Sequence, residues 1–319
     1  QMECVSEVTL KKGQRRTALD KAASFAYLLT AMVAAASLLL IAGFLLVKGI
    51  QPFFTTYNEN GVGFTVDFWT FLTALHWYSL PKESGILYLT INTLYVSVLA
   101  TLIALPLSVY TALFISKIAP KVLGNILSFA IELLAAIPSV VYGLFGRELI
   151  CPLVNDLANG LGLTSKGGLS TLSAAIVLAL MILPILTSLS ANAMKNVPSS
   201  YLASSLALGA SRTETYFKVI IPASRNGIFA GLILGLGRAL GEATAVSSVI
   251  GNAGSGPTFD LFGTSATLTS NMLLGYSEAV GANAEIRFSI GLALILLIIG
   301  VDLLLSLVQK RMAKKYGAE

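Results

Sequence analysis

Apolar positions dominate six long runs of this chain, at about residues 25–47, 86–116, 122–145, 169–194, 227–251 and 288–308. Roughly 20 apolar residues in a helix cross ~30 Å of hydrocarbon, so each run predicts one membrane-spanning helix. Between the fourth and fifth runs lies a polar segment, residues 195–225, reading KNVPSSYLASSLALGASRTETYFKVIIPASR. It is too polar to cross a bilayer. Its apolar positions Leu202, Leu206, Phe217, Ile220 and Ile221 predict short helices with one face free to dock on a soluble partner, and Gly209 is its central interruption.

Pro106, Pro138 and Pro184 fall inside the second, third and fourth runs and predict kinks. In the fifth run Gly227, Gly231 and Gly235 recur every four residues, as do Gly237 and Gly241, which predicts a smooth side for close helix contact. The 51–84 segment carries Trp69, Trp77 and Tyr78, expected as an interfacial belt.

Composition agrees with the pattern. Charged residues are 12% of 319 and hydrophobic ones 55%, with mean hydropathy +0.80, whereas soluble domains carry about 25% charged residues. The first run is preceded by Lys11, Lys12, Arg15, Arg16 and Lys21. It is longer than the roughly 7–15 apolar residues of a secretory signal, so a retained helix is expected.

Basic residues also cluster at Lys117 and Lys121, at Lys195, Arg212, Lys218 and Arg225, and at Lys310, Arg311, Lys314 and Lys315. With six alternating spans all of these share one side, so both termini and the 195–225 loop are expected in the cytoplasm. The organisation read from this is a tail at 1–23, a six-helix membrane domain at 24–310 and a tail at 311–319. The net charge of +5 then reflects topology and calls for no nucleic acid.

Cys4 and Cys151 are expected on opposite sides, and His76 is the single histidine, which leaves no metal or redox motif and no hydrolytic triad. Gly235-Leu236-Gly237 lacks the strand and spacing of a dinucleotide fingerprint. Lys166 lacks the glycine spacing and following hydroxyl of a phosphate-binding loop. The chain is therefore expected to be non-catalytic, with no cofactor of its own.

Two charges interrupt the fifth run. Arg238 and Glu242 are four residues apart, which predicts one helix face. Each would cost about 2.5–3.5 kcal/mol unpaired at mid-membrane, so they form either a packing ion pair or a charged element beside a translocation path. Thr244, Ser247, Ser248 and Asn252 are expected to continue that helix outward, where they line the path or bond between helices. Ser139 after Pro138 is a further lining candidate, and Glu132 and Asp302 are expected as buried acids.

Gly209, Val219, Ile221 and Pro222 keep the glycine-to-proline spacing of the EAA loop of ABC importer permeases, with Ala203-Ser204-Ser205 standing where that family often has Glu-Ala-Ala. AAIPSVVYGLFG (135–146), GLGRALGEATAVSSVIGN (235–252) and ATLTSNMLLGYSEA (266–279) resemble the phosphate-importer permeases of PstC type. The resemblance implies an all-α, six-helix type I importer permease that carries inorganic phosphate. Its partners would be a PstA-type second permease, a PstB-type ATPase dimer that binds ATP and Mg²⁺, and an extracytoplasmic PstS-type phosphate-binding protein. It also implies transport roles for Arg238 and Glu242 and ATPase coupling by Ala203 through Pro222. The alternatives are a permease for sulfate or molybdate, or a stand-alone channel or secondary transporter.

Overall fold

The computed structural model describes residues 2–59, 62–77, 84–277 and 279–315; Tyr78 of the expected aromatic belt lies outside them. In chain order the helices are α1 (Met2–Ile50), α2 (Phe68–Thr73), α3 (Leu87–Leu113), α4 (Lys121–Ala136), α5 (Ser139–Phe145), α6 (Cys151–Gly160) and α7 (Thr171–Lys195). They continue as α8 (Ser199–Ala207), α9 (Arg212–Thr215), α10 (Ile221–Ala223), α11 (Arg225–Gly241), α12 (Thr244–Val249), α13 (Leu268–Leu273) and α14 (Ala282–Lys315). A small antiparallel hairpin, β1 (Tyr57–Glu59) with β2 (Val62–Phe64), follows α1. Among the described residues four helices are long and apolar enough to cross a membrane, and two bent helix pairs bring the number to six.

The centre is built on α7. Ala174, Val177, Leu178, Met181 and Ile182 of α7 are buried in one cluster with Val96, Ala100 and Ala104 of α3. Alanines on the α3 side bring the two backbones close, which is how helices associate where lipid removes the hydrophobic driving force. The glycine stripe of α11 packs against a neighbouring strip of α7. A Cβ at Gly227 would sit 2.3 Å from Cβ of Ala193, and one at Gly231 or Gly235 would sit 3.3 Å from Leu189 or Leu186. The expected smooth face is therefore the α11–α7 seam.

The three prolines behave differently. Pro106 and Pro184 lie inside uninterrupted α3 and α7. Beside Pro184, the Ser108 hydroxyl donates to the Leu183 carbonyl at 3.3 Å and ties the two helices together. Pro138 ends a helix outright: Ile137 is extended, as a residue before proline prefers, and the chain turns by 94° between α4 and the Ser139–Gly160 segment. The expected continuous span at 122–145 is thus a broken one. The span expected at 227–251 also stops early, at Gly241.

Helix α1 lies at the margin and meets α14, with Phe44 edge-on to Phe288 at 5.8 Å and the Ser289 hydroxyl donating to the Gly49 carbonyl at 2.7 Å. Where α1 ends, the Glu285 carboxylate accepts from the Tyr57 hydroxyl and from Gln51 Nε2 at 3.3 Å, with Lys48 Nζ 3.9 Å away. Burial, reinforced by Glu285, pushes the Tyr57 phenol up. Trp69 is exposed, but Trp77 packs on the buried cluster around Tyr88 and Leu268, so the expected belt is only partly a surface feature.

The α11–α7 seam generates a stability prediction. Gly227→Ala, whose new methyl meets Ala193, should lower the thermal midpoint of the purified protein by the equivalent of ~1–3 kcal/mol of overpacking. Adding Ala193→Gly should restore part of it. Gly43→Ala, with no atom within 4 Å, should not destabilise; equal loss in both single variants would disprove the seam.

Candidate functional site

Two helix breaks lie side by side in the membrane body. One is Ile137–Pro138, between α4 and α5; the other is Glu242–Ala243, between α11 and α12. α5 packs on α12 because Gly143 leaves room: a Cβ there would be 3.0 Å from Ser248 Oγ and 3.1 Å from Ala245 Cα. Arg147 Nη1 donates to the Ser248 carbonyl at 3.2 Å along the same contact.

Each break exposes helix ends whose backbone groups need partners. Across the first, the Tyr142 hydroxyl reaches back to the Leu134 carbonyl at 2.9 Å. At the second, Glu242 is extended at the end of α11, its Oε1 accepts from the Ala245 N–H at 3.2 Å, and its carbonyl accepts from the Thr269 hydroxyl at 2.7 Å. The carboxylate therefore serves the start of α12.

This corrects the expected charge pair. Arg238 and Glu242 do not share a helix face, because α11 stops at Gly241, and no ion pair joins them among the described residues. Arg238 stands in the last turn of α11, half-buried, within electrostatic reach of Tyr142. A guanidinium without a carboxylate clamp keeps its forked donors for an anion or water.

The expected outward polar continuation is also revised. Thr244 and Ser247 lie half-buried in α12, but that helix ends at Val249. Asn252 adopts the left-handed region at φ 50° and donates from Nδ2 to the Ser247 carbonyl at 2.9 Å, which makes it a helix cap. Ser139 begins α5, half-buried, at the first break. Asp302 is half-buried against Gly237 of α11 with Oδ1 unpartnered. Glu132, expected buried, is exposed on α4.

The 195–225 loop folds as a helical hairpin. Gly209 takes φ +84°, a conformation costly for side-chain-bearing residues, between α8 and α9. Ser211 and Glu214 form a capping box at the start of α9, and the Ser205 and Thr215 hydroxyls meet at 2.9 Å to join the arms. Its apolar positions do not form one docking face. Ile220 is buried against Ala112, Leu113, Ala191, Met194 and Val197, and Tyr216 donates to the Lys117 carbonyl at 3.3 Å, so this arm is seated on the spans. Val219 and Ile221 are half-buried, whereas Ala203, Ser204, Pro222 and the tip residue Leu208, 89% exposed, face outward.

Sequence reasoning missed Tyr142 and Arg287. Arg287 Nη1 donates to the Asn271 and Met272 carbonyls at 2.6 and 3.3 Å, closing the end of α13. A lone arginine at the head of the last apolar run was the available signal; its partners lie on α13, 15 and 16 residues earlier in the chain.

The family model of binding-protein-dependent transport system inner membrane components matches residues 104–314. A probable ABC transporter permease protein, YqgH of Bacillus subtilis, is 36% identical over 298 residues, 92% of each chain. The phosphate transport system permease protein PstC of Mesorhizobium japonicum is 35% identical over 226 residues, 66% of this chain and 69% of that one. Among solved structures, the inward-facing MetNI methionine ABC transporter aligns with TM-score 0.52 at 15% identity, covering 72% of this chain and 95% of that one, a likeness of fold. The chain belongs to the binding-protein-dependent transport system inner membrane components and has the fold of a type I ABC importer permease.

Proposed function

We propose that this chain is the PstC-type permease subunit of an ATP-driven importer of inorganic phosphate. The observation that carries the substrate is identity to PstC phosphate permeases, 35% over 226 residues in one relative and 33% over 262 in that of Pasteurella multocida. The adjoining helix breaks with Arg238 at their edge support the path. Discontinuous helices are where transporters bring backbone groups and charge to a substrate inside the membrane.

In this reading the membrane domain spans 24–310, the tails 1–23 and 311–319 are cytoplasmic, and the chain is a multi-pass protein of the inner membrane. It pairs with a PstA-type permease, a PstB-type ATPase dimer holding ATP and Mg²⁺, and a PstS-type receptor outside. The chain itself is non-catalytic and holds no cofactor. Closure of the ATPases shifts the population between inward- and outward-facing states, and the 195–225 hairpin transmits it. Ala203, Ser204 and Leu208 face the ATPase, while Ile220 and Tyr216 anchor the other arm to α3 and α7. Arg238 offers its donors to the passing oxyanion, and Glu242 holds the joint at which α11 and α12 hinge.

Two expected outcomes test this in vesicles containing the complete complex with its receptor. Arg238→Gln should reduce phosphate uptake by about 10-fold or more while the ATPase still co-purifies, and Arg238→Lys should recover little, because a point charge does not replace a fork. Full uptake by the lysine variant would remove the geometric role. Gly209→Val should cost about 1–2 kcal/mol at the hairpin turn and release the ATPase from the complex. Gly209→Asn, tolerated in that region, should retain it; loss of neither would show that the turn does not govern coupling.

A further inference from the structure

A polar pocket opens between α4 and α7, at the end of the bundle that carries the hairpin loop. Its polar lining is Ser128 and Glu132 of α4 with Thr187, Ser188, Asn192 and Lys195 of α7, around about 80 Å³. On α7 the lining recurs at 188, 192 and 195, and on α4 at 128 and 132, so each helix presents one polar stripe. Helix faces against lipid are apolar, and ionisable groups inside spans face water-filled or protein-lined space. Thr187 is 1% exposed, yet its Oγ1 has no hydrogen-bond partner. Neither Glu132 nor Lys195 is ion-paired among the described residues. Thr187 is thus a buried hydroxyl in need of a partner, and the exposed Glu132 and Lys195 beside it leave an acceptor and a cation open to the same ligand.

We infer that this pocket is an inward-side binding site for a protonated oxyanion, hydrogen phosphate, and that Glu132 discriminates against oxyanions lacking a proton. The inference rests on the phosphate reading above. Lys195, Asn192 and the hydroxyls of Ser128, Thr187 and Ser188 can donate to phosphate oxygens. Glu132 can only accept while ionised, so it matches the P–OH that phosphate keeps at neutral pH. Sulfate has no such proton and would set a bare anionic oxygen against the carboxylate, a repulsion that builds specificity. A lipid phosphodiester also lacks the P–OH, so Glu132 disfavours a headgroup. Because pocket and carboxylate lie on the hairpin side, selection there acts on release and on rebinding from that side.

The test is equilibrium dialysis of radiolabelled inorganic phosphate against the nucleotide-free permease–ATPase complex without receptor, with sulfate as competitor. Wild type should bind phosphate saturably, and sulfate should displace it only at roughly 10-fold higher concentration or more, the margin of one hydrogen bond to a charged group. Glu132→Gln, whose amide can donate to a bare oxygen, should bring the two anions to near parity. Lys195→Gln should weaken both together and leave their ratio unchanged. Absence of saturable phosphate binding, or an unchanged ratio in Glu132→Gln, would overturn the site. Uptake by the wild-type complex with receptor separates the two readings. Phosphate uptake without dialysis binding rejects the pocket alone, whereas no phosphate uptake rejects the proposed function as well.

Discussion

A broken helix inside hydrocarbon leaves peptide groups that water cannot reach, and each must find a partner within the protein. The membrane body of this chain is organised around that demand. Tyr142 answers the end of α4, Glu242 the start of α12, Asn252 its end, and Arg287 the end of α13. These are much of the polar chemistry that a permease interior could otherwise present to a substrate. The breaks thereby select which charged groups stay unclaimed. Glu242 is taken by the backbone, while Arg238 is not.

Small residues make the breaks possible. Gly143 lets α12 lie on α5, and Gly146 brings the same element within reach of Val177 and Val249. The Gly227–Gly231–Gly235 stripe holds α11 on α7, so the Glu242 joint is attached to the most buried helix of the bundle. The hairpin is anchored to the same helix through Ile220 against Ala191 and Met194. A force applied at the exposed tip near Leu208 thus has a packed route to α7 and from there to α11. Such a route has physical content because packed interiors shift between discrete arrangements and resist continuous deformation.

The six apolar runs, the polar helical loop, the glycine seam and the bend at Gly209 were legible in the sequence, because each is a local property: length of apolar run, spacing of small residues, a residue tolerant of positive φ. The Arg238–Glu242 pairing was misread for an instructive reason. Spacing of four implies one face only while the helix continues, and LGEAT contains no proline to announce that it stops. Pro138 shows the converse. Three prolines looked alike in the sequence, yet of the three only this one ends its helix: α3 and α7 continue through theirs packed on each other, while much of α4 lies exposed.

By itself the sequence determined that this is a membrane protein of six apolar segments with a polar helical loop between the fourth and fifth, because transfer of apolar side chains into hydrocarbon is summed residue by residue and needs no tertiary partner. Only the tertiary structure decided where those segments break, which carboxylate caps a helix, which face of the hairpin is buried, and that Glu132 and Lys195 share a pocket. Those outcomes depend on the juxtaposition of residues such as Glu242 and Thr269, which hydrogen-bond, or Glu132 and Lys195, which line one pocket, and their separation along the chain leaves no periodic trace.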